Sequence, residues 1–142
     1  DRFTFVKKKI MGLFDKVFGG EKGTSEKKEN KVPWNPLTEI SQLDELEKLS
    51  EGKTVAIFKH STTCGISRMV LKNFEADYEQ QLNDSVDLYF LDLKAHRDIS
   101  NGIADKFSVR HESPQMVVLK NREVVHHSSH QAISADKLKE LA

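Results

Sequence analysis

Apolar and polar positions recur along this 142-residue chain with two different periods, and the changes of period mark its elements. Thr54 to Lys59 (TVAIFK) and Val86 to Leu93 (VDLYFLDL) are apolar and β-branched with little alternation, the pattern of strands buried on both faces. Leu43, Leu46 and Leu49 follow at helical spacing after Ser41, read as an N-cap with Asp44 and Glu45 in the first turn. Gly52 is read as the end of that helix. Ile66, Val70, Phe74, Tyr78 and Leu82 step by four, with Met69 beside them, and predict one helix with that face inward. Ile99, Ile103, Ala104 and Phe107 predict another, capped near Asp98. Gln115 to Lys120 and Glu123 to His127 flank Asn121-Arg122, the pattern of a hairpin with a two-residue turn. Ser134 is read as the cap of a last helix with Leu138 and Leu141 inward. Trp34 to Ile40 predicts a short edge strand, because Pro33 and Pro36 are tolerated at edges and strand starts.

The order is β-α-β-α-β-α-β-β-α. Strands alternating with helices imply parallel pairing through crossovers, and the late hairpin adds an antiparallel pair. The expected class is α/β: a three-layer fold with a central mixed β-sheet flanked by helices. Gly19 to Val32 carries one apolar residue in fourteen, a linker composition. Residues 1–32 are therefore read as a flexible N-terminal extension, with Leu13, Phe14, Val17 and Phe18 as a short apolar cluster, and 33–142 as the folded domain. The chain opens at Asp1, while Met11 begins MGLFDKVFGG, so Met11 is read as the natural start.

Charge refines this picture. Residues 1–32 hold nine Lys/Arg against five Asp/Glu, and the remainder thirteen against seventeen, for a total of zero. That total predicts no nucleic-acid partner. No run approaches the ~20 apolar residues of a transmembrane segment. A single cysteine, Cys64, excludes an internal disulfide and any multi-thiolate metal site, and fits a reducing, cytoplasmic setting.

Cys64 lies in a polar turn, His-Ser-Thr-Thr-Cys-Gly, after the strand ending near His60 and at the start of the helix carrying Ile66 and Val70. Ligands of open α/β sheets meet the carboxyl ends of the strands. A thiol at a helix N-terminus faces unpaired N–H groups and the positive end of the helix dipole, a setting that favours the thiolate. The competing reading is an inert small hydrophobe, although such a residue would more naturally sit inside an apolar run. Gly65 lets the backbone approach a bound thiol or peptide. Ser67 replaces the second sulfur of a C-x-x-C spacing; one turn from Cys64, its hydroxyl could reach the sulfur, or it is an ordinary first-turn polar residue. Ser113-Pro114 precedes the strand QMVVLK, with either a cis bond or a trans proline opening a strand.

The stretch KHSTTCGIS with the later VRHESPQ, in this element order, resembles the YtxJ-type monothiol bacilliredoxin family of bacillithiol-using bacteria, which has the thioredoxin fold. The resemblance spans roughly Leu37 to Ala142 and departs at Gly65, where the family more often has proline. It implies that Cys64 is the catalytic nucleophile and Pro114 a cis-proline packed beside it. The Ser113 backbone would bind the substrate, and Thr62, Thr63 and Ser67 would line the site. His60 and His111 would be near neighbours, either as imidazolium groups favouring the thiolate or as structural histidines. With no second sulfur, Cys64 can take a small-thiol cap from an S-thiolated client protein but needs another molecule for release. The resemblance implies bacillithiol as that co-substrate, with a second small thiol or a reductase for regeneration and no bound cofactor. The alternative is a non-catalytic thioredoxin-fold module that binds peptides or senses oxidation. His126, His127 and His130 form H-H-x-x-H, but the first two point to opposite faces of a strand, and no metal site is assigned.

Overall fold

Strand β2 (Thr54–His60) is buried at all seven positions and lies at the centre of a five-stranded sheet. The computed structural model describes residues 32–142. The expected extension, including Met11 and the Leu13–Phe18 cluster, lies outside the described residues except for Val32, which is buried in the core. The described elements are β1 (Asn35–Pro36), α1 (Gln42–Leu49), β2, α2 (Gly65–Asp77), β3 (Val86–Asp92), α3 (Arg97–Phe107), β4 (Gln115–Lys120), β5 (Glu123–Ser129) and α4 (Ala135–Leu141). Two short 3-10 turns follow α2 and β5. Sheet order is β1-β3-β2-β4-β5. β1 and β2 pair parallel with β3; β4 pairs antiparallel with β2 and β5.

Alternate residues of β2 divide the core into two halves. Ala56 and Phe58 face α2 and α4 with Val70, Phe74, Met116, Val118 and Leu138. Val55 and Ile57 face α1 and α3 with Leu43, Leu46, Ile99, Ile103, Val117 and Leu119. The period-2 alternation hidden in TVAIFK thus serves two helical layers at once. On the α2 side, Trp34 closes an aromatic cluster, with ring centroids 5.6 Å from Phe90, 5.7 Å from Phe74 and 5.9 Å from Phe58. Its indole N–H donates to Glu75 Oε2 at 2.7 Å, which satisfies the polar tip of a half-buried ring.

Several local expectations are corrected. The edge strand is only Asn35–Pro36, because the chain then turns into α1. Ser41 is helical and makes no cap bond. The Gln42 side chain takes that role: Oε1 accepts from Thr38 N–H at 2.8 Å and Glu39 N–H at 2.9 Å, and Nε2 donates to the Pro36 carbonyl. Helix α1 ends at Leu49 rather than at Gly52, and Leu49 is 44% exposed. Helix α2 ends at Asp77, so Tyr78 and Leu82 pack from the following turn. Ile66 and Met69 face solvent at 44% and 48% exposure. A four-residue step drifts round a 3.6-residue helix, and the buried stripe holds only Ser67, Val70 and Phe74. Asp98 lies inside α3, and His96 occupies the N-cap without a side-chain bond.

The hairpin turn is Asn121-Arg122, both at positive φ (50° and 72°), the twist a two-residue turn requires. A register shift at Val118/Leu119 bulges the pairing. The end of α1 holds this turn: the Ser50 carbonyl accepts from Asn121 N–H at 2.7 Å, and Ser50 Oγ accepts from Arg122 N–H at 2.8 Å. Ser134 caps α4 by accepting from Lys137 N–H at 3.0 Å. Ser50→Ala is expected to cost about 1 kcal/mol by removing the acceptor of the Arg122 N–H, read by urea unfolding; an unchanged midpoint would show that this bond does not hold the turn.

Candidate functional site

The strand register brings three loops to one end of the sheet. His60, the last residue of β2, is opposite Asp92, the last of β3. Lys59 is opposite Gln115, the first residue of β4. The turn carrying Cys64, the turn after β3 and the segment ending in Ser113-Pro114 therefore meet at the same edge. The Ser113-Pro114 bond is cis, and Pro114 is buried. The Pro114 carbonyl accepts from His130 N–H at 3.1 Å.

Cys64 is the N-cap of α2, with extended backbone (φ −103°, ψ 119°), and its thiol is free and partly exposed. Its N–H donates to the Ser61 carbonyl at 3.2 Å, and its carbonyl accepts the first helical bond, from Arg68 N–H at 3.1 Å. No side chain of the N-cap bonds the helix start, and no acidic residue stands in the first turn. The orphan N–H groups of α2 therefore open toward the sulfur's end of the helix.

Ser67 does not hydrogen-bond the sulfur, which corrects one expectation. It is fully buried, and its Oγ accepts from Ser61 N–H at 3.1 Å and lies 2.8 Å from His60 Nδ1. His60 is 7% exposed, packed 5.4 Å from Phe90 and 6.4 Å from Phe58, and burial pushes its pKa down. Ser67 Oγ and His60 Nδ1 share one hydrogen bond, with the proton on either partner according to the histidine tautomer. The serine thus ties the turn before Cys64 to the end of β2.

Lys59 supplies a second polar anchor on the opposite face. It is fully buried, and its Nζ donates to His111 Nδ1 at 2.8 Å. Ser100 Oγ lies 3.4 Å from the same nitrogen. Burial lowers the Lys59 pKa to about 8. The His111 pKa is lowered first by burial and then by the charges of Lys59 and Arg97. Desolvation thus works against the imidazolium form of both His60 and His111. Gln115 continues this layer: its Nε2 donates to the Arg110 carbonyl at 2.9 Å, while its buried Oε1 has no partner.

Thr62 and Thr63 are exposed beside Cys64 and each meets a cation. Arg68 Nη1 donates to the Thr62 carbonyl, and Lys94 Nζ donates to Thr63 Oγ1, both at 3.3 Å. Lys94 is positioned by Asp92, whose Oδ1 accepts from the N–H groups of Lys94 and Ala95 at 3.2 Å. Gly65 borders open space; a Cβ there would meet only Arg68 Nη2, at 3.8 Å. Sequence reading missed Arg68, Lys94 and Lys59. Helical spacing from Cys64 marks Arg68, and an unpaired lysine in an apolar strand marks Lys59, but nothing local marks Lys94. The three histidines of β5 and its following turn form no metal cluster, and no group of three or more His, Cys, Asp or Glu side chains among the described residues is arranged to hold an ion.

Residues 35–138 match the family described as Monothiol bacilliredoxin BrxC. Among solved structures, a provisionally assigned oxidoreductase with a thioredoxin fold is 33% identical, with a TM-score of 0.63 over 74% of this chain and 89% of its own. Fasciola hepatica thioredoxin is 21% identical, with a TM-score of 0.57 over 75% of this chain and 94% of its own. Malassezia sympodialis thioredoxin is 25% identical, with a TM-score of 0.52 over 69% and 80%. The fold is the thioredoxin fold, and family and fold together support a thiol–disulfide redox function.

Two stability outcomes follow from this geometry. Lys59→Met is expected to raise stability at pH 7 by about 1–3 kcal/mol, since a buried ammonium without a carboxylate is costly. Below pH 8 the folded and unfolded chains both hold the lysine proton, so the full penalty applies. Between pH 8 and about 10.5 the unfolded chain holds more of that proton, wild-type stability rises with pH, and the variant's advantage shrinks. Urea unfolding at pH 7 and pH 9.5 reads this; an advantage independent of pH would refute it. Gly65→Pro is expected to add about 0.4–1 kcal/mol. Cys64 already has the extended backbone that a residue before proline needs, and position 65 is the first helical residue. A lowered Tm would show that the turn requires glycine.

Proposed function

The chain belongs to the monothiol bacilliredoxin family, and from that premise we propose that it removes a low-molecular-weight thiol, bacillithiol, from mixed disulfides on client proteins. The observation that carries the reading is the placement of Cys64: a free, partly exposed thiol at the uncapped N-terminus of α2. In the proposed step the Cys64 thiolate attacks the cap's sulfur. A bond forms between Cys64 and the cap, the cap–client disulfide breaks, and the electron pair leaves on the client sulfur, which then takes a proton from water. A second small thiol, or a reductase, regenerates Cys64 by the same exchange.

Ser113 and cis-Pro114 form the opposite lip of the site, where the Ser113 backbone offers strand-like hydrogen bonds to an extended substrate. Ile66 and Met69, exposed on the α2 face next to Cys64, give a client apolar surface to rest on. Ser67 has no sulfur with which to resolve the intermediate, and its hydroxyl is engaged by Ser61 and His60. A cytoplasmic setting is part of the proposal, supported by the reducing chemistry. No helix among the described residues is long and apolar enough to cross a membrane.

The test is incubation of the full chain with a bacillithiol-capped client, followed by intact mass. Cys64 is expected to gain the cap as the client loses it, with Cys64→Ser showing no gain. Transfer that persists in Cys64→Ser would sink the reading. Binding of the client with no transfer would favour a non-catalytic module instead.

A further inference from the structure

We propose that Lys59, buried at the end of β2, is a positioning residue for the exchange: through His111 it fixes the Ser113 backbone, so that the site prefers disulfides carrying a peptide backbone. The inference rests on the exchange reading above and adds a residue and a substrate preference to it.

The fixed points of the segment from Arg110 to Pro114, which forms the lip of the site, carry the argument. Gln115 Nε2 donates to the Arg110 carbonyl at 2.9 Å. Lys59 Nζ donates to His111 Nδ1 at 2.8 Å, with Ser100 Oγ 3.4 Å from the same nitrogen. A hydrogen bond with Ser129 draws the Glu112 carboxyl below its ordinary pKa. The Pro114 carbonyl accepts from His130 N–H at 3.1 Å. Every residue of the segment but one is therefore held from outside it. Ser113 is the exception: among the described residues no hydrogen bond uses its N–H or its carbonyl. Those two groups are left for a ligand, and an extended backbone laid alongside is the partner that satisfies both.

Lys59 and Gln115 face each other in the β2–β4 register and reach adjacent residues of the lip. Both are buried, at 0% and 1% exposure, and each carries a polar demand that the fold leaves unmet. The Lys59 ammonium donates to an imidazole instead of a carboxylate, and Gln115 Oε1 has no partner. Turning the Gln115 amide over would set its oxygen against the Arg110 carbonyl, so a flip brings no relief. Buried polar groups in this state call for a reason other than stability. Holding the lip supplies one. His111 stands two residues before Ser113, so the bond from Lys59 is the anchor nearest to it on that side. A hydrogen bond weakens steeply when donor and acceptor leave their preferred distance and angle. A lip freed at His111 therefore loses its grip on a substrate backbone, while the sulfur chemistry at Cys64 is untouched. A disulfide with peptide groups beside its sulfur uses the Ser113 backbone; one without them does not.

The test compares two uncharged symmetrical disulfides: that of a short unstructured peptide with its cysteine mid-chain, and bis(2-hydroxyethyl) disulfide, which has no amide. In both, the Cys64 thiolate attacks one sulfur and keeps that half, and the other half leaves with the electron pair and takes a proton from water. Adduct formation on the full chain is followed by intact mass over a range of substrate concentrations. With Lys59→Met the half-saturating peptide concentration is expected to rise about tenfold, the loss of one or two backbone hydrogen bonds, at an unchanged maximal rate. The wild-type-to-variant ratio of rates for bis(2-hydroxyethyl) disulfide is expected to stay near one. His111→Leu is expected to match Lys59→Met, and His111→Asn, whose amide oxygen can accept from Lys59, to restore most of the preference for the peptide. Urea unfolding of each variant separates these effects from loss of the fold; should Lys59→Met prove unfolded, the two His111 variants decide. Equal ratios for the two disulfides, or His111→Asn no better than His111→Leu, would overturn the positioning role while leaving exchange at Cys64 intact. Absence of an adduct from either disulfide would remove the exchange reading, and this inference with it.

Discussion

Burial of β2 on both faces is the constraint on which the rest of the domain depends. A strand dry along all seven residues needs partners at both edges and a helical layer over each face. β3 and β4 supply the edges, α2 and α4 one face, α1 and α3 the other. The strand does not end in apolar residues, however. Its last two positions are Lys59 and His60, and burial obliges each to find a polar partner.

Those two obligations organise the site. His60 meets Ser67 on the α2 side and thereby draws the turn before Cys64 onto the end of the strand. Lys59 meets His111 on the α3 side and holds the segment leading to Ser113-Pro114. The thiol turn and the cis-proline turn are thus anchored from opposite faces of the same strand end. The anchors also set the electrostatics. Desolvation pushes the pKa of both imidazoles down, while exposed Arg68 and Lys94 rest on the two threonines before Cys64 at the open N-terminus of α2. The lysine anchor is made to an imidazole rather than to a carboxylate, which leaves the charge of its buried ammonium uncompensated.

Much of this was legible in the linear sequence. The uninterrupted apolar runs of β2 and β3, the two-residue turn at Asn121-Arg122 and the Ser134 cap each leave a local signature, and each appears where expected. Boundaries read less well. Ile66 and Met69 share helical spacing with the core residues of α2, yet they lie outside the arc that the sheet covers. Ser41 has the composition of a cap, but Gln42 does the work because its longer side chain reaches back to Pro36. Ser67 read as a lost sulfur; its second identity, as an acceptor for Ser61 and a hydrogen-bond partner of His60, depends on a strand end brought alongside the helix.

The sequence by itself determined the element order, the mixed sheet, the lone thiol at a strand-to-helix junction and the kinship carried by KHSTTCGIS and VRHESPQ. These are set by periodicity and residue identity, which are local properties of the chain. Only the tertiary structure decided the cis geometry at Ser113-Pro114, the pairing of Lys59 with His111 across 52 positions and of Lys94 with Thr63 across 31, and the downward pKa shift of the two histidines. Those features depend on which groups lose water and which are left facing one another when distant segments pack. No spacing along the chain encodes that choice, since desolvation and charge act through space.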